Sequence, residues 1–384
     1  MARGADGGSP EAGQALFGGA SGMAGAGVAL LALAGFLRSP LAVAAVVVTS
    51  LVARAVAATG LGALGLASPP ALFAYGTAAM GATVLVHRFR ERLVSGDQPD
   101  DAVRTALERT GWVIATTCAA WAVSCAALPL ADGGTRGLGP ALAVTAAAAA
   151  LVPLTLLPAL LSVLGHGPAW PSRRRRVGDP PPATARLGRA VAARPRRWTL
   201  LAAALVAALS AIGALLVPDP PPSVVVAVAG VLTALVLALV LRSLISPVYV
   251  TAGALLVAWG AGTVAVAPGW QLSVFFLTLV TNVCAALLVL SRVQETARSG
   301  RGPHACAALA VKYAGPPALA VLLLTGALTA GAYDLLSGVI LAVGGTALSL
   351  VIVPGLAALL GSRAWWPDTA PSPPPTPVKI PTPH

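Results

Sequence analysis

Apolar runs of about 20 residues, nearly free of charge, recur eleven times along this 384-residue chain. A run of that length and composition reads as a membrane-spanning segment. Hydrocarbon offers no partner to backbone N–H and C=O groups, so only helices and closed barrels can cross it. These runs are continuous rather than alternating in polarity, which excludes a barrel. Only 10% of the residues are charged, against about 25% in an ordinary soluble domain. The fold class is therefore all-α and polytopic.

The expected spans are 21–37, 41–61, 71–86, 111–130, 138–164, 198–217, 223–241, 247–267, 271–290, 314–332 and 336–360. Between them lie two polar stretches, 87–110 and 292–313, each expected to form short amphipathic helices on the inner leaflet. Residues 165–197 hold nine Arg against one Asp, with a Pro180–Pro182 run. That composition cannot build a core and reads as a mobile cytoplasmic linker. Residues 1–16 read as a short extracytoplasmic tail and 365–384 as a Pro-rich cytoplasmic one.

The net charge of +12 comes almost wholly from Arg. In a chain of spans such residues mark cytoplasmic loops rather than nucleic-acid contacts. With the N-terminus outside and the C-terminus inside, 22 of the 25 Lys and Arg fall in the cytoplasm, and the opposite orientation inverts that ratio. The N-terminus lacks a basic region before its first apolar run, so no cleavable signal is expected. Cys118, Cys125, Cys284 and Cys306 are scattered without metal-ligand spacing and read as packing residues. No phosphate loop, catalytic triad, metal cluster or dinucleotide fingerprint occurs, so neither an enzyme nor a cofactor is expected.

The chain repeats itself. Leu37-Arg38-Ser39 matches Leu241-Arg242-Ser243, and Arg88 matches Arg292, both at an offset of 204. Gly96, Pro99 and Gly111 recur at the same offset as Gly300, Pro303 and Gly315. Further on, Pro158 and Leu164-Gly165 match Pro354 and Leu360-Gly361 at an offset of 196. Two copies in the same orientation make a parallel repeat about an axis along the membrane normal: five spans in 17–164 and six in 198–364.

The segments FLRSP and VLRSLISP, VHRFRERLVSG and LSRVQETARSG, and the closing LLPALLSVLG and VPGLAALLGSRAWWP carry a resemblance. They resemble the MMPL family of the RND (resistance-nodulation-division) superfamily. The resemblance implies a multi-pass exporter of lipids or other hydrophobic molecules, with two large extracytoplasmic porter domains and a buried Asp-Tyr proton relay. The chain departs from that pattern. Where a porter domain would follow the sixth span there is only Pro218-Asp219-Pro220-Pro221-Pro222. The relay positions, carried over from Arg88 and Arg292, are Met80 and Gly81 in one repeat and Cys284 and Ala285 in the other. No Asp or Glu lies in any span, so a proton-driven mechanism within this chain is not expected.

Four groups of candidate site residues remain. Arg54 lies mid-span, where a charge is costly, and reads either as a headgroup or counter-ion site or as a tolerated snorkelling charge. Thr281 and Asn282 sit beside the altered relay, as a polar substrate contact or as interhelical hydrogen-bonding residues. Arg173, Arg174, Arg175 and Arg176 follow the fifth span, as an anionic-lipid site or a topology anchor. The relay positions themselves form the fourth group. The expected partners are membrane lipids, with another membrane or porter protein or further copies of this chain as additional ones, and no nucleic acid. The competing readings are an MMPL-like component of lipid export, with a hydrated crevice near Arg54 and the Met80 and Cys284 helices, and a non-transporting scaffold or regulator.

Overall fold

A computed structural model describes residues 20–66, 71–130, 138–170, 183–216, 223–264 and 271–366. Its helices are α1 (Ala20–Leu37), α2 (Pro40–Ala63), α3 (Ala71–Ser95), α4 (Pro99–Ser124), α5 (Leu138–Leu164), α6 (Ala183–Ala193), α7 (Pro195–Leu216), α8 (Ser223–Leu241), α9 (Ile245–Val264), α10 (Gln271–Arg298), α11 (Pro303–Ala332), α12 (Leu335–Ala347) and α13 (Val353–Leu360). A π-helical turn, Leu348–Ile352, joins the last two. It precedes Pro354, whose missing N–H cannot serve a regular turn. Among the described residues there is no strand.

Among the described residues, eight helical units are long and apolar enough to cross a membrane: α2, α5, α7 to α11, and the α12–α13 unit. The other three expected spans are α1, whose apolar part is the shorter Gly25–Leu37, and α3 and α4, whose charged ends lower their apolar character. Those charged ends correct one expectation. The stretches 87–110 and 292–313 do not form separate surface helices; α3 and α10 run on into them as continuous helices, and α4 and α11 begin within them after short turns.

The repeat is visible in the backbone. Arg38 and Arg242 both adopt left-handed φ, 48° and 50°, a conformation that L-residues adopt at a cost of about 1–2 kcal/mol. The glycine pairs Gly96 and Gly300, and Gly165 and Gly361, are likewise left-handed. Ser39 caps α2 by accepting from Ala42 N at 3.4 Å, and Ser243 accepts from Ser246 N at 3.4 Å. Packing follows the same symmetry. The α1 helix crosses to α11 and its counterpart α8 crosses to α4, while α3 meets α11 and α10 meets α4. The two halves are thus interlocked rather than set side by side. At their centre α10 is buried from Ser273 to Leu290.

Close backbone approach makes this possible. A Cβ on Gly25 would lie 2.5 Å from Gly331 Cα, and one on Gly213 would lie 2.5 Å from Gly260 O. Small residues supply the packing surface where lipid offers no hydrophobic drive.

The linker differs from its expected form. Its second half is α6, packed along α11, with Gly188 close to Ala308 O and His304 Nδ1 2.9 Å from Ala192 O. Ala185, Gly188 and Val191 share one helical face and bury it. The expected start of the tail also shifts. Trp365 is buried, Leu244 N donates to Trp366 O at 2.9 Å, and Ser243 and Ser246 Oγ both donate to Ala364 O. Residues 1–16, 173–176 and 368–384 lie outside the described residues.

Candidate functional site: a groove between the repeats

A groove of about 440 Å³ opens between α1, α2 and α3 of the first repeat and α11 of the second. Its walls are mostly apolar, among them Leu30, Leu33, Leu51, Leu324 and Leu328, with Ser50, Arg54 and Tyr75 as its polar members. Leu30 and Leu51 are about half exposed. Arg54 is half-buried and forms no ion pair among the described residues. An unpaired guanidinium on an apolar wall is chemically suited to hold an anionic headgroup while the wall holds its chain.

The internal symmetry supplies a control. At the offset of 204, Ala29, Tyr75, Ala79, Leu324 and Leu328 correspond to Thr233, Leu279, Val283, Ala120 and Ser124. Those five residues line the equivalent space in the other half, which measures only about 10 Å³. Ser124 Oγ and Thr233 Oγ1 close it with a 2.6 Å hydrogen bond. Trp121, the counterpart of Thr325, fills it. The counterparts of Ala26 and Leu51, Gly230 and Leu255, come so close that a Cβ on Gly230 would lie 2.5 Å from Leu255 Cδ1. Arg54 itself corresponds to Ala258. One copy of the site is open and carries a cation; the other is shut and neutral.

The structure does not bring the other candidates into this groove. Thr281 Oγ1 donates to Leu277 O at 2.7 Å, within its own helix. Asn282 Nδ2 donates to Thr278 O at 2.8 Å, and its Oδ1 faces Gly345 on α12, where a Cβ would meet it at 2.6 Å. Asn282 Oδ1 and Thr278 Oγ1 have no hydrogen-bond partner among the described residues. Of the relay positions, Met80 adjoins the groove residue Ala79 but is 2% exposed. Gly81 faces Ile114 and Pro153. Cys284 and Ala285 are buried, and neither lines the groove.

Sequence reading missed a partly buried charge cluster at the arginine-rich end of the bundle. Arg88 pairs with Glu91 at 3.1 Å and Arg292 with Glu295 at 2.8 Å, the same contact in each repeat. Arg292 also reaches across to Glu91 at 3.1 Å, and Arg109 pairs with Glu295. The signal was in the sequence, as Arg-x-x-Glu twice at an offset of 204.

Fold and repeat together define a polytopic helical membrane protein built from two parallel halves. Its fold is similar to that of SecDF in a crystal structure of the super-membrane-facing form, with TM-score 0.63 and 16% identity over 92% of this chain and 62% of that one. The MMPL family model matches residues 17–208, and the chain belongs to the MMPL family. It is 36% identical over 149 residues to the membrane protein ActII-3 of Streptomyces coelicolor, covering 38% of this chain and 21% of that one. It is 32% identical over 127 residues to the sulfolipid-1 exporter MmpL8 of Mycobacterium tuberculosis, covering 32% of this chain and 12% of that protein. The matches thus span about a fifth or less of these relatives.

Proposed function

We propose that this protein is a component of lipid or hydrophobic-molecule export at the cell membrane. The groove between the repeats takes the apolar chain from the bilayer, and Arg54 holds an anionic headgroup. The observation that carries this reading is the asymmetry of the two equivalent sites, about 440 Å³ with an arginine against about 10 Å³ without one. In such repeats substrate paths lie between the halves. The reading places the N-terminus outside and the C-terminus inside, following the arginine distribution. Membrane lipids are its partners, and a porter function comes from another protein.

The protein does not couple transport to protons by itself. Met80, Gly81 and Ala285 cannot titrate, and Cys284 lies against Thr117 and Cys118 in a packed core. The same observation favours a second reading, a non-transporting scaffold for another membrane protein. A clean deletion strain, complemented with the native and Arg54→Ala forms, separates the two. Loss of one lipid class from the outer envelope, restored by the native form alone, is the result expected for export. An unchanged lipid profile refutes export and leaves the scaffold.

A further inference from the structure

The arginine-rich end of the bundle carries a second asymmetry, in the opposite sense. A polar cleft of about 700 Å³ lies between α4, the end of α8 and the C-terminal part of α10. Arg88, Arg109, Arg242 and Arg298 line it against Glu108 and Glu295. Arg88 and Arg109 are engaged with Glu91 and Glu295, and Glu108 with Arg104 at 2.9 Å. Arg242 and Arg298 are exposed and take no ion pair among the described residues. The cleft therefore keeps two uncommitted guanidiniums after its internal pairs are made.

In the other repeat bulkier residues stand at three of the equivalent positions. The counterparts of Val240, Ser291 and Gln294 are Phe36, His87 and Arg90. Phe36 stacks on His87 with ring centroids 5.2 Å apart, and Arg90 Nη1 donates to Leu37 O. The counterpart of Arg298 is Val94. The copy with the smaller residues holds the cleft; Arg242 has an arginine counterpart, Arg38, whereas Arg298 stands where the other copy has a valine. Arg242 ends α8 in a left-handed turn at φ 50°. This turns the chain at the lip of the cleft, and the side chain stays exposed.

We infer that this cleft binds a phosphate-bearing anion, with Arg242 and Arg298 as its ligands. A guanidinium matches two phosphate oxygens with parallel N–H donors and stays charged at any physiological pH. The phosphate can come from the headgroup of an anionic lipid or from a soluble phosphoester. Trp112 in the wall supplies an amphipathic ring of the kind found at headgroup level. This site is separate from the Arg54 groove and does not depend on it.

The test uses the full chain in phosphatidylcholine nanodiscs doped with phosphatidylglycerol, and reads the phosphatidylglycerol retained per protein by native mass spectrometry. Arg242→Gln and Arg298→Gln should each weaken retention roughly five-fold. Arg242→Lys with Arg298→Lys should restore part of it, and Arg189→Gln on α6 should leave it unchanged. Thermal unfolding of each variant separates loss of the site from loss of the fold. Inorganic phosphate is added as the second probe. If it displaces the lipid in an Arg242- and Arg298-dependent way, the site takes soluble phosphoesters; if it has no effect while the variants lose lipid, the ligand is a headgroup. Equal binding of both probes by the native chain and the folded double Gln variant overturns the inference.

Discussion

Replacing Arg54 with Leu should make the protein more stable and less able to bind anionic amphiphiles. Arg54 stands fourteen residues beyond Pro40 and nine before Ala63 on α2. At 1.5 Å per residue its Cα is about 21 Å from one end of the helix and about 14 Å from the other. A hydrocarbon core of about 30 Å centred on α2 leaves it about 10 Å inside. An Arg at the centre of a span costs about 2.5–3.5 kcal/mol on insertion scales, and Leu gains a few tenths. Arg54 lies off centre and half-buried in the groove, so about half of that difference applies, roughly 1–2 kcal/mol. No ion partner among the described residues is left behind, so no opposing penalty of an orphaned charge enters the sum. Reversible unfolding in mixed micelles would show a higher midpoint for Arg54→Leu. Retention of a single-chain anionic lipid should fall in the same variant, and Arg54→Lys should keep part of both properties. A destabilised Leu variant would show that Arg54 is structural. A stabilised one with unchanged lipid preference would remove Arg54 from the site.

Four further outcomes follow from the same contacts. Gly25→Ala places a methyl about 2.5 Å from Gly331 Cα, which should cost about 1–3 kcal/mol in micelle unfolding, whereas Gly35→Ala, with open space around it, should be neutral or slightly stabilising. Burial, with Arg90 and Arg292 nearby, lowers His87 to about 4, so it stays neutral in the fold and takes up a proton on unfolding. Stability should therefore be lost as pH falls from 6.5 towards 4, by about 1–2 kcal/mol after allowance for partial exposure, and a flat pH profile in His87→Gln would confirm the source. Cys118, Cys125, Cys284 and Cys306 are all buried and should resist an impermeant maleimide, while a cysteine placed at Leu51 should react with a lipid-soluble one. A double-mutant cycle on Ser124 and Thr233 should return a coupling of about 0.5–1.5 kcal/mol; zero coupling would mean that their 2.6 Å contact does not hold the second site shut.

The class of fold, the repeat and the matched turns after α1 and α8 were legible in the chain itself. Hydrocarbon leaves the backbone one solution for a continuous apolar run, and a repeated LRS turn or Gly-x-x-Pro reversal carries its own local geometry, as the matched φ angles of Arg38 and Arg242 show. Composition also singled out Arg54, because a charge in a span has few harmless places. Composition could not decide which face each helix turns to which neighbour. In lipid all faces are similarly apolar, so the arrangement rests on close packing at positions such as Gly25 and Gly213. That packing separates two sites whose sequences differ by a few side chains: Ser124, Thr233 and Trp121 close one, and Ala29, Leu328 and Thr325 leave the other open. It also turned Thr281 and Asn282 away from the groove and docked α6 from a segment read as a mobile linker. Volume between helices is a property of pairs of surfaces, and a single chain read in order does not contain it.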